Sequence, residues 1–362
     1  MNTLKTPICD LLNIEYPILQ AGMGGVAFGP LAAAVSKAGG LGTIAAISPT
    51  PERVEQEIIL ARSLTDKPIC VDIGFPLRAP KEKSDIELPE LPGPLKQLHQ
   101  EIEALGVEIK SADDQAMSIE DARTKLEICF RHGVEVIACA LGTPKWVVEA
   151  CHARGVKVIS IVGRASHAQT AIRNGTDIVV VQGTEGGGHT GDIGLITLLA
   201  EVLEFSTVPV VAAGGIVNGS QIAGVLTQGA QGVWVGTRFI GSQESSVGPN
   251  YKQSLVEAEN DSTIRSLLFD GLYVRQLQNR FTEVWEGHEA ELQPYPIQRI
   301  VIAPSRFAAA AADLKDHQAL PAGQGSGLIR DLPPAGELLH RLVDETVEAL
   351  RKAQQRIQLK VA

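Results

Sequence analysis

Short apolar segments that end in glycine or another small residue alternate with helical patterns from Pro17 to Val235. Each segment is apolar at successive positions, so both faces of the strand it forms must be covered by other elements. Eight such units predict an α/β fold, a TIM-type (β/α)8 barrel. An open doubly wound sheet is the alternative, because it uses the same unit. The predicted strands cover residues 17–21, 42–46, 68–73, 134–139, 156–161, 177–181, 208–212 and 231–235.

Two segments do not follow the alternation of strands and helices. They predict a smaller, mostly helical second domain. Residues 76–118 contain five prolines amid charged residues, and they follow the third predicted strand on the side where barrels place active-site loops. Within residues 242–362, the stretches 251–280 and 338–357 look helical. We therefore expect a barrel over residues 1–241, with an insertion at about 76–118. A helical segment over 242–362 is expected to pack over or beside the barrel mouth.

The charge and amino-acid composition of the chain exclude several classes of binding partner. The chain carries 32 basic and 42 acidic residues, for a net charge of −10, and no basic stripe stands out. This argues against nucleic acid and anionic membrane surfaces as partners. No apolar run is long enough to span a bilayer, and the N-terminus lacks the apolar core of a signal peptide, so a cytoplasmic protein is expected. The five scattered cysteines contain no CxxC pair, so we expect buried free thiols and no metal site. A small-molecule substrate fits this composition, and a homodimer is possible.

Two glycine motifs indicate a phosphate site. Gly214 and Gly215 follow the seventh predicted strand, and Gly236 and Thr237 follow the eighth. In barrels these two loops, together with a helix N-terminus, often form an anion site. Glycine lets backbone N–H groups approach phosphate oxygens without a Cβ in the way, and Thr237 could add a hydroxyl. The alternative is that these glycines only permit tight turns.

Other strand ends supply candidate contacts for the ring of a cofactor. The first strand runs into Gly22, Met23 and Gly24, where a soft apolar side chain lies on a backbone that can bend close to a flat ligand. Gln182 ends the sixth strand and could bond a ring carbonyl or a ribityl hydroxyl. Asp72 ends the third strand and, by register, should face the same mouth.

His189 is the candidate acid or base. It lies in a glycine-rich loop after the sixth strand, beside Gly187 and Gly188, at the end of the barrel where catalytic groups are found. Imidazole can carry or release a proton near physiological pH. Asp192 and Glu185 are close in sequence and could orient it, although both could equally be solvated surface groups.

The chain resembles the nitronate monooxygenase family, formerly called 2-nitropropane dioxygenases. Five motifs carry the resemblance over about residues 7–242, and they appear in the family's order. They are residues 17–25 (PILQAGMGG), 38–42 (AGGLG), 182–191 (QGTEGGGHTG), 212–216 (AAGGI) and 236–237 (GT).

The resemblance implies a TIM barrel that binds FMN non-covalently, with His189 as the active-site histidine beside the flavin. It also implies FMN contacts from Gly22, Met23, Gln182, Gly187, Gly188, Gly214, Gly215, Gly236 and Thr237. The implied reaction is oxidation of an alkyl nitronate by O2 to a carbonyl compound and nitrite.

The same superfamily includes flavin-dependent enoyl reductases and quinone reductases with a similar histidine loop. An NAD(P)H-dependent reductase of an enoyl thioester, a steroid-type enone or a quinone is therefore the alternative. This chain also has Asp72 where many nitronate oxidisers are expected to have asparagine. A non-catalytic FMN-binding module is disfavoured, because a proton-transfer residue at the mouth would then have no use.

Overall fold

The computed structural model describes residues 2–47, 49–75, 88–111 and 118–357. Eight parallel strands form one sheet in the order β1-β9-β8-β6-β5-β4-β3-β2, and a bridge between Leu19 and Leu41 joins its two edges. The predicted TIM barrel is therefore confirmed. The barrel strands are β1 (Ile18–Gln20), β2 (Gly42–Ala45), β3 (Ile69–Gly74), β4 (Val136–Ala140), β5 (Lys157–Val162), β6 (Ile178–Gln182), β8 (Val210–Ala213) and β9 (Gly232–Val235).

Helices wrap the barrel, and several begin where the sequence offers a cap. Thr50, Ser118 and Asn218 each accept a backbone N–H of the first turn that follows. The helices are α1 (Pro7–Leu12), α2 (Gly29–Lys37), α3 (Pro51–Leu64), α5 (Ile119–Arg131), α6 (Lys145–His152), α7 (Ala165–Arg173), α8 (Leu195–Phe205), α9 (Gly219–Gln228) and α10 (Thr237–Ile240).

The barrel interior is filled mainly by small and branched side chains. Ala138, Ile159 and Val180 are fully buried in one cluster. Ile8 and Leu12 of α1 belong to the same cluster, so α1 packs against the interior layer. All five cysteines are buried free thiols, which confirms that expectation.

The helix that completes the barrel comes from the far end of the chain. After β9 only the single turn of α10 follows, and α14 (Ala335–Arg356) packs between α2 and α9. Its apolar face buries Leu338, Leu339 and Leu342 in the barrel's helix layer. Glu345 accepts the N–H of Gly219 at 2.9 Å. The helix predicted at 338–357 is thus confirmed, and it packs beside the barrel.

The helical prediction for residues 251–280 is wrong beyond its first turns. Helix α11 (Pro249–Glu257) is followed by β10 (Thr263–Ser266) and β11 (Val274–Leu277), which pair antiparallel. Strand β11 also pairs with β7 (Gly188–His189) of the histidine loop. Pairing with a distant segment overrides local helical propensity here, because cross-strand contacts decide strand stability.

The insertion and the C-terminal segment share a core. Helix α4 (Gly93–Ala104) buries Leu95, Leu98 and Ile102 in the same cluster as Val301 and Ile302 of α13 (Ile297–Ala311). One-turn helix α12 (Arg280–Glu283) and 3-10 turns at Glu289–Glu291 and Gln324–Leu328 complete the segment.

The exact domain limits at 76, 118 and 241 stay a prediction, and residues 76–87 and 112–117 of the insertion lie outside the described residues. None of the described helices is long and apolar enough to cross a membrane.

Candidate active site

The first part of the site is the glycine end, which we define as Gly214, Gly215, Gly236 and Thr237. Gly214 and Gly215 have φ values of +106° and +71°, a region that favours glycine. In the described part of the chain, the backbone N–H groups of Gly214, Gly215 and Thr237 have no hydrogen-bond acceptor. Unpaired N–H groups at the ends of β8 and β9 fit a phosphate group, as the sequence predicts.

Contact between loops is a second reason for glycine in this region. A Cβ on Gly187 would lie 2.7 Å from the backbone nitrogen of Gly323, and one on Gly214 would lie 3.0 Å from the carbonyl oxygen of Gly183. Gly188 differs, because a Cβ there would meet no described atom within 4 Å. Gly188 therefore borders open space, whereas Gly187 is packed against the C-terminal segment.

Side chains add little positive charge to the glycine end. The Thr237 hydroxyl accepts the N–H of Gly323 at 2.9 Å. Arg238 is buried and binds the carboxylate of Asp331 at 2.5 Å, so it does not turn toward the glycines. An anion bound here would be held mainly by backbone donors.

Asp72 and Gly22 meet at the barrel mouth. A Cβ on Gly22 would lie only 2.3 Å from Oδ2 of Asp72, so this position tolerates no side chain. Asp72 is 1% exposed, and its Oδ1 has no hydrogen-bond partner among the described residues. Burial raises the pKa of Asp72 to about 8, so the carboxyl group is mostly protonated at neutral pH. A buried, unpartnered O–H or C=O at this place fits the edge of a polar ring.

Met23 links the first strand to the glycine end. Its sulfur lies 3.4 Å from the place that a Cβ on Gly236 would take. The half-buried side chain also packs against the barrel clusters and against a cluster of the C-terminal segment. Gly24, next along the chain, is exposed. The structure therefore brings the ends of β1, β3 and β9 together, as the barrel prediction requires.

The second part of the site is the histidine end, which we define as His189, Phe269 and Asp270. Nε2 of His189 lies 2.7 Å from Oδ2 of Asp270, whose side chain is completely buried. The rings of His189 and Phe269 meet edge to face, with centroids 6.5 Å apart. The imidazole itself is 41% exposed, so it can reach a ligand.

The prediction that Asp192 or Glu185 orients His189 is wrong. Asp192 binds Arg164 at 2.7 Å and Arg265 at 2.5 Å. The carboxylate of Glu185 accepts the N–H of Leu195 at the start of α8. Both acidic groups are therefore engaged elsewhere, and the carboxylate that holds His189 comes from the stretch 251–280, which the sequence predicts to be helical.

The sequence around Asp270 contains a pattern that is typical of a hairpin turn. Asp270 and Gly271 form a dipeptide typical of hairpin turns, between two short segments that pair as strands. Gly271 has a φ of +89°, and a Cβ there would lie 2.3 Å from the backbone nitrogen of Tyr295. The turn would have indicated a hairpin, but not that the hairpin reaches His189.

Gln182 connects the barrel to the histidine end. Its side-chain nitrogen donates to the carbonyl oxygen of His189 at 2.7 Å. The amide nitrogen of Gln182 thus holds the histidine loop. Its side-chain oxygen accepts no hydrogen bond from the described residues, and a cofactor contact from this residue stays a prediction.

Fold and site together define a class of protein. A (β/α)8 barrel with unpaired backbone donors after its last two strands is typical of enzymes that hold a phosphorylated cofactor at the mouth. A histidine paired with a buried carboxylate beside such a mouth is typical of proton transfer.

Comparison with known proteins specifies the family. A family model described as nitronate monooxygenase matches residues 5–345. A probable nitronate monooxygenase of Staphylococcus haemolyticus is 31% identical over 92% of this chain and 95% of its own length. One from Staphylococcus aureus (strain Newman) is 30% identical over 94% and 97%. The chain belongs to the nitronate monooxygenase family.

Two solved structures are similar to this chain over nearly its whole length. A nitroalkane oxidase from Streptomyces ansochromogenes has a TM-score of 0.81 and 34% identity, covering 96% of this chain and 99% of that one. FabK from Thermotoga maritima has a TM-score of 0.80 and 30% identity, covering 98% and 100%. The chain is an oxidoreductase, and its family and these neighbours support a flavin as its cofactor.

Proposed function

We propose that this protein is an FMN-dependent nitronate monooxygenase, which oxidises alkyl nitronates with O2 to a carbonyl compound and nitrite. The observation that carries the proposal is the pairing of His189 with Asp270 beside the barrel mouth, in a chain of this family. The pair supplies a group that can hold or move a proton next to the place where a flavin ring would lie.

The described residues fit FMN in two ways. The unpaired N–H groups of the glycine end would hold the phosphate, and the buried, unpartnered carboxyl of Asp72 would meet the polar edge of the ring. At pH 7 Asp72 is mostly a neutral acid, so it can donate a hydrogen bond as an amide N–H would. The remaining proposed contacts are Gly22, Met23, Gly24, Gln182, Gly187 and Gly188.

A bound flavin supplies the electron acceptor for the substrate and the electron donor for O2. The protein supplies position and charge. When protonated, His189 would hold the oxygens of an anionic nitronate; when neutral, it would take the α-proton of a nitroalkane. No metal is proposed.

The second candidate is an NAD(P)H-dependent flavin reductase of an enoyl thioester, an enone or a quinone. The resemblance of residues 182–191 to the glycine-rich histidine loop of flavin-dependent enoyl reductases favours this reaction. In this case NADH or NADPH is a co-substrate, and His189 donates a proton to the reduced double bond.

Anaerobic reduction of the flavin distinguishes the nitronate monooxygenase from the NAD(P)H-dependent reductase. The purified protein is mixed with an alkyl nitronate, with NADH or with NADPH, and the visible flavin band is followed. Fast bleaching by the nitronate, followed by nitrite release when O2 is admitted, is expected. Fast bleaching by a nicotinamide and none by the nitronate would replace the proposal with the reductase.

A further inference from the structure

Only one nitrogen of the His189 ring takes part in the bond to Asp270. Asp270 Oδ2 faces Nε2 at 2.7 Å, and Oδ1 accepts the N–H of Leu272 at 3.0 Å. Burial raises the pKa of Asp270, but the hydrogen bond from His189, the charge of His189 when it is protonated, the hydrogen bond from Leu272 and the charge of Arg299 together outweigh it, so the pKa lies below its ordinary value. Asp270 is therefore an ionised carboxylate at neutral pH.

An ionised carboxylate can only accept hydrogen bonds, so the hydrogen between the two residues belongs to Nε2. A neutral imidazole has one N–H, which leaves the lone pair on Nδ1. Among the described residues, none forms a hydrogen bond with Nδ1. The ring is partly exposed while Asp270 is completely buried, so Nδ1 is the nitrogen left for a ligand.

The ring and its partner are both held from several sides. His189 lies opposite Val274 in the pairing of β7 with β11, and Gln182 binds its carbonyl oxygen. Phe269 packs against the ring edge to face. Such anchoring fixes the ring orientation without use of Nδ1.

We propose that Asp270 is a positioning residue that fixes His189 as the Nε2–H tautomer and thereby makes Nδ1 the atom that takes the proton of the substrate. The choice of substrate rests on the proposed function. With a neutral nitroalkane, the α-C–H bond breaks, its electron pair stays on the substrate as the nitronate, and the proton bonds to Nδ1. The carboxylate of Asp270 stabilises the imidazolium that results. A preformed nitronate has already lost this proton and needs no base.

The tautomer can be measured without turnover. The full-length protein is labelled with 15N in its histidine rings, and the His189 signals are assigned by their loss in His189→Gln. At a pH where the ring is neutral, we expect a protonated Nε2 and a bare Nδ1. In Asp270→Asn this preference should weaken, because an amide can donate as well as accept. A proton on Nδ1 in the unchanged protein would overturn the proposal, whatever the substrate.

Kinetics then test the consequence. For Asp270→Asn, kcat/KM with a neutral nitroalkane should fall by about 10²- to 10⁴-fold. With the corresponding nitronate it should fall by less than about tenfold, because no proton is removed. Asp192→Asn is the matched control, since it removes an exposed carboxylate close in sequence that binds arginines instead. It should leave both values nearly unchanged.

Two outcomes separate this proposal from the function on which it rests. If the unchanged protein oxidises neither the nitroalkane nor the nitronate, the nitronate monooxygenase proposal is contradicted. The tautomer measurement alone then tests the role of Asp270. Equal losses with both substrates in Asp270→Asn would show a merely structural role and overturn the positioning proposal.

Discussion

The glycine end and the histidine end of the candidate site are built in different ways. The glycine end uses backbone N–H groups at the ends of β8 and β9, which are neighbouring strands in the sheet. The histidine end uses side chains 81 residues apart, one from the barrel loop and one from the C-terminal hairpin. The backbone donors of the glycine end are therefore a local property of the barrel, although Thr237 also contacts Gly323 of the C-terminal segment. The histidine end exists only when the C-terminal segment is folded against the barrel. We expect the glycine end to control binding and the histidine end to control chemistry.

The largest expected effect is at the histidine end. His189→Ala should lower turnover by about 10²- to 10⁴-fold with a neutral nitroalkane, because the base is lost. The protein should stay yellow, since the glycine end is untouched. Steady-state rates and the flavin-to-protein ratio measure the two effects.

A second histidine provides the control for this variant. His288 lies 2.8 Å from a carboxylate oxygen of Glu291, outside the candidate site. His288→Ala should change neither rate nor flavin content. Loss of flavin in His189→Ala would contradict the expectation that only the glycine end controls flavin binding. Full turnover in this variant would show that His189 takes no part in the reaction.

The next effect is at the glycine end. Gly215→Asp places a negative charge beside the unpaired N–H groups, and like charges repel by several kcal/mol, so flavin affinity should fall by about 100-fold or more. A fluorescence titration of apoprotein with FMN measures the loss.

A control must show that the loss depends on the place of the new aspartate and not on its backbone strain alone. Gly155 has a φ of +73°, close to the +71° of Gly215, and a Cβ there would meet no described atom within 4 Å. It precedes β5, at the opposite end of the barrel. Gly155→Asp should therefore bind FMN normally. A full flavin load in Gly215→Asp would refute the phosphate site.

The same contrast explains what the sequence could predict. The eight strands follow from short motifs with a fixed place in each strand–helix unit, and the same motifs predict Gly214 and Thr237 as phosphate contacts. Asp270 was not found, because its role depends on the pairing of β11 with β7 across the fold. Local helical propensity around residues 258–280 gave the wrong element, although the Asp270–Gly271 turn was present. The closing helix α14 was predicted as a helix, but its place in the barrel depends on contacts with α2 and α9.

Asp72 belongs to neither end, and its effect is the smallest expected. Its pKa is about 8 in the folded protein against an ordinary value of 3.8. Between these values the folded protein holds a proton that the unfolded chain releases, so folding stability falls as pH rises through this window. The contribution is fully present below about pH 4 and is lost above pH 8. An asparagine cannot ionise, so Asp72→Asn should remove this part of the pH dependence.

Thermal unfolding of the apoprotein and of Asp72→Asn from pH 5 to pH 9 tests this, and all other carboxylates cancel in the difference. We expect the variant to gain a few degrees in Tm relative to the unchanged protein as pH rises toward 9. Parallel profiles would mean that the Asp72 carboxyl is solvated or paired when charged. Repeating the scan with FMN sharpens the comparison: if the protonated acid meets the ring, the unchanged protein should gain more stability from FMN at pH 6 than at pH 9. The variant should lack this part of the difference, because its amide donates at every pH, and other groups that titrate in this range act equally in both proteins.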